Sequence, residues 1–231
     1  MKTIGLIGGM SWESTLTYYQ IINEAVKREL GGLHSAKLLL ASVDFAQIEA
    51  CQQRGDWAQS ARILTDAAQS LEAAGAEFLL ICTNTMHKVV PQIQAAIHIP
   101  ILHIADAAAQ ALREQGITTA ALLGTKYTMT QDFYKERLEA AGLQVLTPEG
   151  QDVETVNDVI FQELCLGILS PVSREKYCSI IGRLAERGAQ AVILGCTEIG
   201  LLIGQKDTPL PVFDTTRIHA ERAVLEALCG K

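Results

Sequence analysis

The chain has 231 residues, 48% of them hydrophobic, with 19 Lys and Arg against 26 Asp and Glu for a formal charge of -7. That apolar content can bury a substantial core and excludes disorder, while no basic run gathers into the stripe that nucleic acid would need. No apolar stretch approaches the roughly 20 residues of a membrane span, so the expectation is a soluble protein with neither nucleic acid nor membrane as partner.

The opening MKTIGLIGGMSWEST runs into glycines and a Glu rather than a small-residue cleavage site, so no leader is expected and a cytoplasmic location is. Short apolar runs bounded by Gly then alternate with longer helical patterns, the signature of an α/β chain with a mostly parallel sheet. The first strand is residues 3–7. A helix follows over 14–30 and closes at Gly31 and Gly32. A second strand covers 37–43, and the polar stretch with Asp44, Gln52, Gln53 and Arg54 reads as a loop. An Ala-rich helix runs from about Trp57 to Ala74, with a strand at 78–82 after it. Further strands are expected at 99–103, 119–123, 143–146, 191–194 and 211–213, with helices between them.

The chain echoes itself. TIGLIGGM at position 3 resembles TAALLGTK at position 119, an offset of 116, and FLLICTNT at 78 resembles AVILGCTE at 191, an offset of 113. Two landmarks with nearly equal separation imply two similar α/β lobes. If the lobes face each other across a pseudo-twofold axis, Thr83-Asn84-Thr85 and Cys196-Thr197-Glu198 approach one cleft from opposite sides, because such sheets bind ligands beyond the carboxyl ends of their strands.

Cys51, Cys82, Cys165, Cys178, Cys196 and Cys229 are spread over the chain without close pairing and read as free thiols. There is no CxxC, HxxxH or HExxH, so no metal is expected. Cys196 is the first candidate for chemistry. It ends an apolar strand after Gly195, where helical amides can stabilise a thiolate; a buried inert thiol is the competing reading. Cys82 points the other way from Thr83 along its strand and reads as core filler. Gly8, Gly9 and Met10 lack the third Gly of a dinucleotide fingerprint, which excludes an NAD site, but a glycine pair can aim backbone amides at a small carboxylate or simply make a tight turn. Thr125 and Thr128 stand at the equivalent turn of the second lobe, as donors to a second carboxylate or as helix caps. Gln52 and Arg54 are donors suited to an acidic ligand, or residues of a solvated loop. His87 either orients Thr83 or packs, and Asp214 with Thr215 reads as a helix N-cap pair.

At GLIGGMSWEST (5–15), SVDF (42–45), CTNTMHK (82–88), LLGTKYTM (122–129), LGCTE (194–198) and PVFDT (211–215), the chain resembles the aspartate/glutamate racemase family, and the resemblance covers essentially the whole sequence. It implies two pseudo-symmetric Rossmann-like lobes with mostly parallel sheets and the site in the cleft between them. The lobes would be 1–104 with 212–231, and 105–211. It also implies a cofactor-independent isomerase, often dimeric, that racemises a small amino acid, aspartate or glutamate, with neither pyridoxal phosphate nor metal. By the same resemblance Thr83 and Cys196 occupy the two catalytic positions, with Met10, Gln52, Asn84, Thr85, Thr125, Thr128 and Thr197 around the substrate.

Two departures stand out. The family's usual first thiol is Thr83 here, whose hydroxyl is a far weaker acid. The Lys that some members carry in an I-Y-x-x-x-K-x-G helix is Cys165, so carboxylate recognition must differ, with Gln52, and less so Arg54, as the substitute. A single thiol also resembles the arylmalonate decarboxylases, and maleate isomerases share the architecture. Loss of one thiol would equally suit a non-catalytic amino-acid-binding protein.

Overall fold

The computed structural model describes residues 1–229. It divides into two compact units, one of Met1–Ile104 with the chain from His219 onward, the other of Ala105–Ile218. Among the described residues no helix is long and apolar enough to cross a membrane. All six cysteines are free.

In the first unit, β1 (Ile4–Gly8) lies between β2 (Leu38–Ser42) and β3 (Phe78–Ile81), both parallel to it. Both β1 and β3 are buried at every position, as parallel strands covered on two faces must be. Strand alternation then divides their side chains between two cores. Ile7, Leu79 and Ile81 pack with Ile48 of α2 (Phe45–Arg54) and Leu64 of α3 (Trp57–Ala73). Ile4, Leu6, Phe78 and Leu80 pack with Tyr18 and Ile22 of α1 (Trp12–Leu30) and with Ala220 and Val224 near the C-terminus. A 3-10 turn (Thr85–Val89) and the short α4 (Val90–Gln94) follow β3.

The second unit runs through α5 (Ile104–Glu114), β4 (Thr119–Gly124), α6 (Lys126–Thr130), α7 (Asp132–Ala140), β5 (Gln144–Leu146) and α8 (Gln151–Gln162). A 3-10 turn (Leu164–Leu166), α9 (Pro171–Glu186), β6 (Ala191–Gly195), α10 (Ile199–Leu202) and β7 (Val212–Asp214) complete it, and α11 (Thr215–Leu228) leads back to the first unit. Its sheet, also parallel, has the order β5-β4-β6-β7, repeating β2-β1-β3 of the first. The α/β class and the doubled parallel architecture expected from the internal echo are therefore present.

Three elements differ from the sequence reading. The expected loop after Asp44 is α2: Asp44 caps it by accepting from the Ala46 amide at 3.1 Å, and Gly55 ends it in the left-handed region. The expected strand at 99–103 is reduced to one parallel bridge, Leu79 to Ile101. Pro100 has no amide to donate, and α5 begins at Ile104 before a ladder can extend. Third, β7 pairs with β6, so residues 212–218 go with the second unit rather than returning to the first at 212.

The end of the second sheet depends on two small residues. Gly124 and Gly195 are partners in the β4–β6 register, and a Cβ on Gly124 would lie 2.8 Å from the Gly195 carbonyl. The obstacle is backbone, so it cannot rotate away. Gly124→Ala should therefore cost about 1–3 kcal/mol, read as a lowered denaturation midpoint. Wild-type stability in that variant would show that the sheet end is loosely packed.

Candidate functional site

In the first unit the expected site residues gather where β3 ends. Thr83 is half-buried, and Asn84 and Thr85 are buried. His87 fixes the loop. Its Nδ1 lies 2.8 Å from the Thr83 carbonyl, which can only accept, so Nδ1 carries the proton; Nε2 accepts from the Ile104 amide at 3.2 Å. This is the orienting role, exercised on the Thr83 backbone. The His87 ring packs edge-on against His103, with centroids 4.4 Å apart, and against His219 at 5.8 Å.

His219 is itself held neutral. Its Nε2 donates to the Leu102 carbonyl at 2.8 Å and its Nδ1 accepts the Tyr18 hydroxyl at 2.8 Å. Burial pushes its pKa from 6.5 down to about 4. The unfolded chain thus binds a proton that the folded one refuses, so this group's stability is complete above pH 6.5 and is lost as pH falls toward 4. The loss should reach about 3 kcal/mol. Thermal melts from pH 7 to pH 4 should show it, with a flatter acid limb in His219→Gln; parallel limbs would refute it.

The glycine turn after β1 is committed to holding itself. The Gly9 amide donates to Thr15 Oγ1 at 2.8 Å, Thr15 Oγ1 donates to the Ser11 carbonyl at 2.9 Å, and Ser14 Oγ donates to the Cys82 carbonyl at 3.1 Å. Gly9 has φ +90, and a Cβ there would meet the Val43 carbonyl at 2.2 Å. The tight-turn reading is the one the geometry realises, and the Gly9 amide is already used. The Met10 side chain is core, 3% exposed. Gln52 sits on α2 rather than in a loop and is 7% exposed, with Nε2 3.0 Å from Met86 Sδ, which brings it beside the Thr85 turn. Arg54 is exposed, its guanidinium 3.8 Å from Cys51 Sγ. Cys82 is fully buried core, its thiol pushed far up by burial.

The second unit supplies the thiol. Glycines at the ends of β4 and β6 let the two backbones meet, and Cys196 follows at once, 9% exposed. Thr215 Oγ1 ties down the end of β6 by donating to the Leu194 carbonyl at 2.7 Å. Thr125 caps α6, accepting from the Thr128 amide at 3.3 Å, and the two hydroxyl oxygens are 3.2 Å apart. Asp214 caps α11 through the Thr216 amide at 2.9 Å. Cys165 packs against the apolar cluster that holds Cys196.

Glu198, which the sequence pairs with Thr197 at the strand end as a mark of an amino-acid site but not as a catalytic or binding residue, is the principal addition. The Cys196 thiol donates to its Oε2 at 2.9 Å, and Thr197 Oγ1 donates to the same oxygen at 2.6 Å. Burial and this carboxylate together hold the thiol well above its ordinary pKa. An acid two residues after a strand-end Cys was the available signal. Among the described residues no group of three or more His, Cys, Asp and Glu is placed to hold a metal ion.

Residues 7–223 match the family profile of the Asp/Glu/hydantoin racemases. A crystal structure from Yersinia pestis, described as a candidate Asp/Glu racemase, is 55% identical with TM-score 0.93, over 99% of this chain and 100% of that one. An aspartate racemase homologue from Pyrococcus horikoshii OT3 is 38% identical with TM-score 0.85, over 98% of each chain. Among curated proteins, the broad specificity amino-acid racemase RacX of Bacillus subtilis (strain 168) is 24% identical over 71% of this chain and 70% of its own length. With a profile match across nearly its whole length and these relatives, the chain belongs to the Asp/Glu/hydantoin racemase family, whose racemases are isomerases.

Proposed function

We propose that this protein is a cofactor-independent racemase of aspartate, glutamate or both, in which Cys196 is the strong acid/base on one face of the substrate α-carbon and Thr83 serves the other. The carrying observation is the Cys196 thiol, 9% exposed at the carboxyl end of β6 and hydrogen-bonded to a carboxylate. The relatives support a racemase, and the retained thiol supports the side on which chemistry is strongest. Removing an α-proton leaves a carbanion beside a carboxylate, so fixed donors in a dry site must carry the developing charge. Asn84, Thr85, Gln52, Thr125, Thr128, Thr197 and the Met10 main chain are the proposed donors. Inversion needs a base on one face and an acid on the other, exchanging roles in reverse.

A homodimer acting in the cytoplasm is part of the same proposal. Trp12, Leu16 and Tyr19, at 64%, 57% and 55% exposure, line one face of α1 at helical spacing and support a second copy as their cover. Six free thiols suit a reducing compartment.

The test is proton NMR of α-hydrogen washout in deuterated water, on L- and D-aspartate and L- and D-glutamate separately, with purified protein and no added cofactor. Washout from at least one amino acid is expected. Silence in all four would refute the acidic-substrate racemase and leave the single-thiol decarboxylase or the binding protein.

A further inference from the structure

We propose that Glu198 is a positioning and proton-holding residue for Cys196: it receives the thiol proton when the thiolate forms and returns it afterwards. This rests on the reading of Cys196 as an acid/base.

The geometry is direct. The Cys196 S–H points at Glu198 Oε2 from 2.9 Å, and the backbone amide of Glu198 also donates to the sulfur. Glu198 stands at the N-cap of α10 yet makes no side-chain capping bond, so the commonest structural use of an acid there is not the one adopted. At 9% exposure, a carboxylate is costly to bury unless its charge is used.

The proton balance is simple. In the resting site the proton is on sulfur and the charge on Glu198. The S–H bond breaks and an O–H bond forms at Oε2, so the pair keeps its one negative charge until the thiolate takes the α-proton, and Oε2 returns its proton to sulfur once S–H has reprotonated the α-carbon. The thiolate then takes the α-proton, re-forming S–H as the C–H electron pair stays on the α-carbon. A closed site can thus generate its base without expelling a proton past an anionic substrate. Thr197 Oγ1, which now donates to Oε2 at 2.6 Å, can rotate to accept once Oε2 is protonated, since a hydroxyl does both.

Glu198→Gln keeps an oxygen for the thiol to bond but cannot take its proton. Washout kcat should fall about 10²–10⁴-fold with KM changed less than about threefold, and Glu198→Asp should recover at least about tenfold over Gln. The second readout needs no turnover: iodoacetamide modification of the Cys196 peptide against pH, followed by mass spectrometry. The charged and titratable groups around the sulfur are Glu198, Cys165 of the turn before α9, and Tyr177 of α9 with Glu163 acting on it. Removing only the Glu198 charge should lower the modification midpoint by about 1–3 pH units. A melting temperature close to wild type is required alongside, because a loosened structure that hydrates the sulfur would also slow exchange and lower the midpoint. Unchanged washout in Glu198→Gln, or an unmoved alkylation midpoint, would overturn the proposal. If Cys196→Ala still exchanges, the acid/base reading of Cys196 has failed instead, and the alkylation midpoint alone decides whether Glu198 holds the thiol proton.

Discussion

Cys196→Ala should lose α-proton washout of every amino acid that the wild type exchanges, by about 10⁴-fold, the upper end of what a positioned proton-transfer group contributes. The magnitude follows from the absence of a substitute. The nearest polar groups on that strand end are the Thr197 hydroxyl and the Glu198 carboxylate, and both are bonded to each other at 2.6 Å. Cys196→Ser should fare little better, because a serine hydroxyl at the same point is a far weaker acid than a thiol and has the same desolvation to overcome. The structural cost should be small in both, since the side chain is compact and the end of β6 is held independently by Thr215. Melting temperatures close to wild type, together with the four-substrate washout measurement, separate lost chemistry from lost folding. Residual washout above about a tenth of wild type in a folded Cys196→Ala protein would remove Cys196 from the reaction.

Much of this architecture is legible in the residues. Apolar runs ending in Gly mark β1, β4 and β6, and the repeat of TIGLIGGM in TAALLGTK anticipates two sheets with the same strand order. What escaped has physical reasons. The stretch 44–54 suggests a loop because Asp44, Gln52, Gln53 and Arg54 make it look polar, yet Phe45, Ile48 and Cys51 lie at helical spacing between an Asp cap and a Gly stop. At 99–103 the apolar content is correct for a strand, but a proline and an incoming helix leave room for one bridge. The sequence identifies the side chains of the site, whereas the structure shows how they are occupied. The Gly9 amide is taken by Thr15, Thr125 is a cap, and His87 grips a carbonyl. Glu198 was visible as a letter but not as a partner, since a bond between residues two apart depends on how the chain turns after β6.

Thr83 carries the second large prediction. Its hydroxyl holds its proton far more tightly than a thiol, so the two faces of the α-carbon should differ sharply. Wild-type washout should favour one enantiomer by at least about 10²-fold, reflecting Cys196 on its own side. Thr83→Ala should leave that favoured washout within about threefold, because under the proposed assignment proton removal and return on the Cys196 face involve no group of Thr83. Conversion of one enantiomer into the other should instead fall at least about 10²-fold, since it alone requires a proton delivered from the opposite face. The main chain should stay in place, because His87 holds the Thr83 carbonyl rather than its hydroxyl. Thr83→Ser, which keeps the hydroxyl, should retain conversion. NMR washout and chiral chromatography on the same samples measure the two quantities side by side. Equal loss of both in Thr83→Ala would mean that Thr83 binds substrate rather than serving a face, and undiminished conversion would assign the opposite face to another residue or to water.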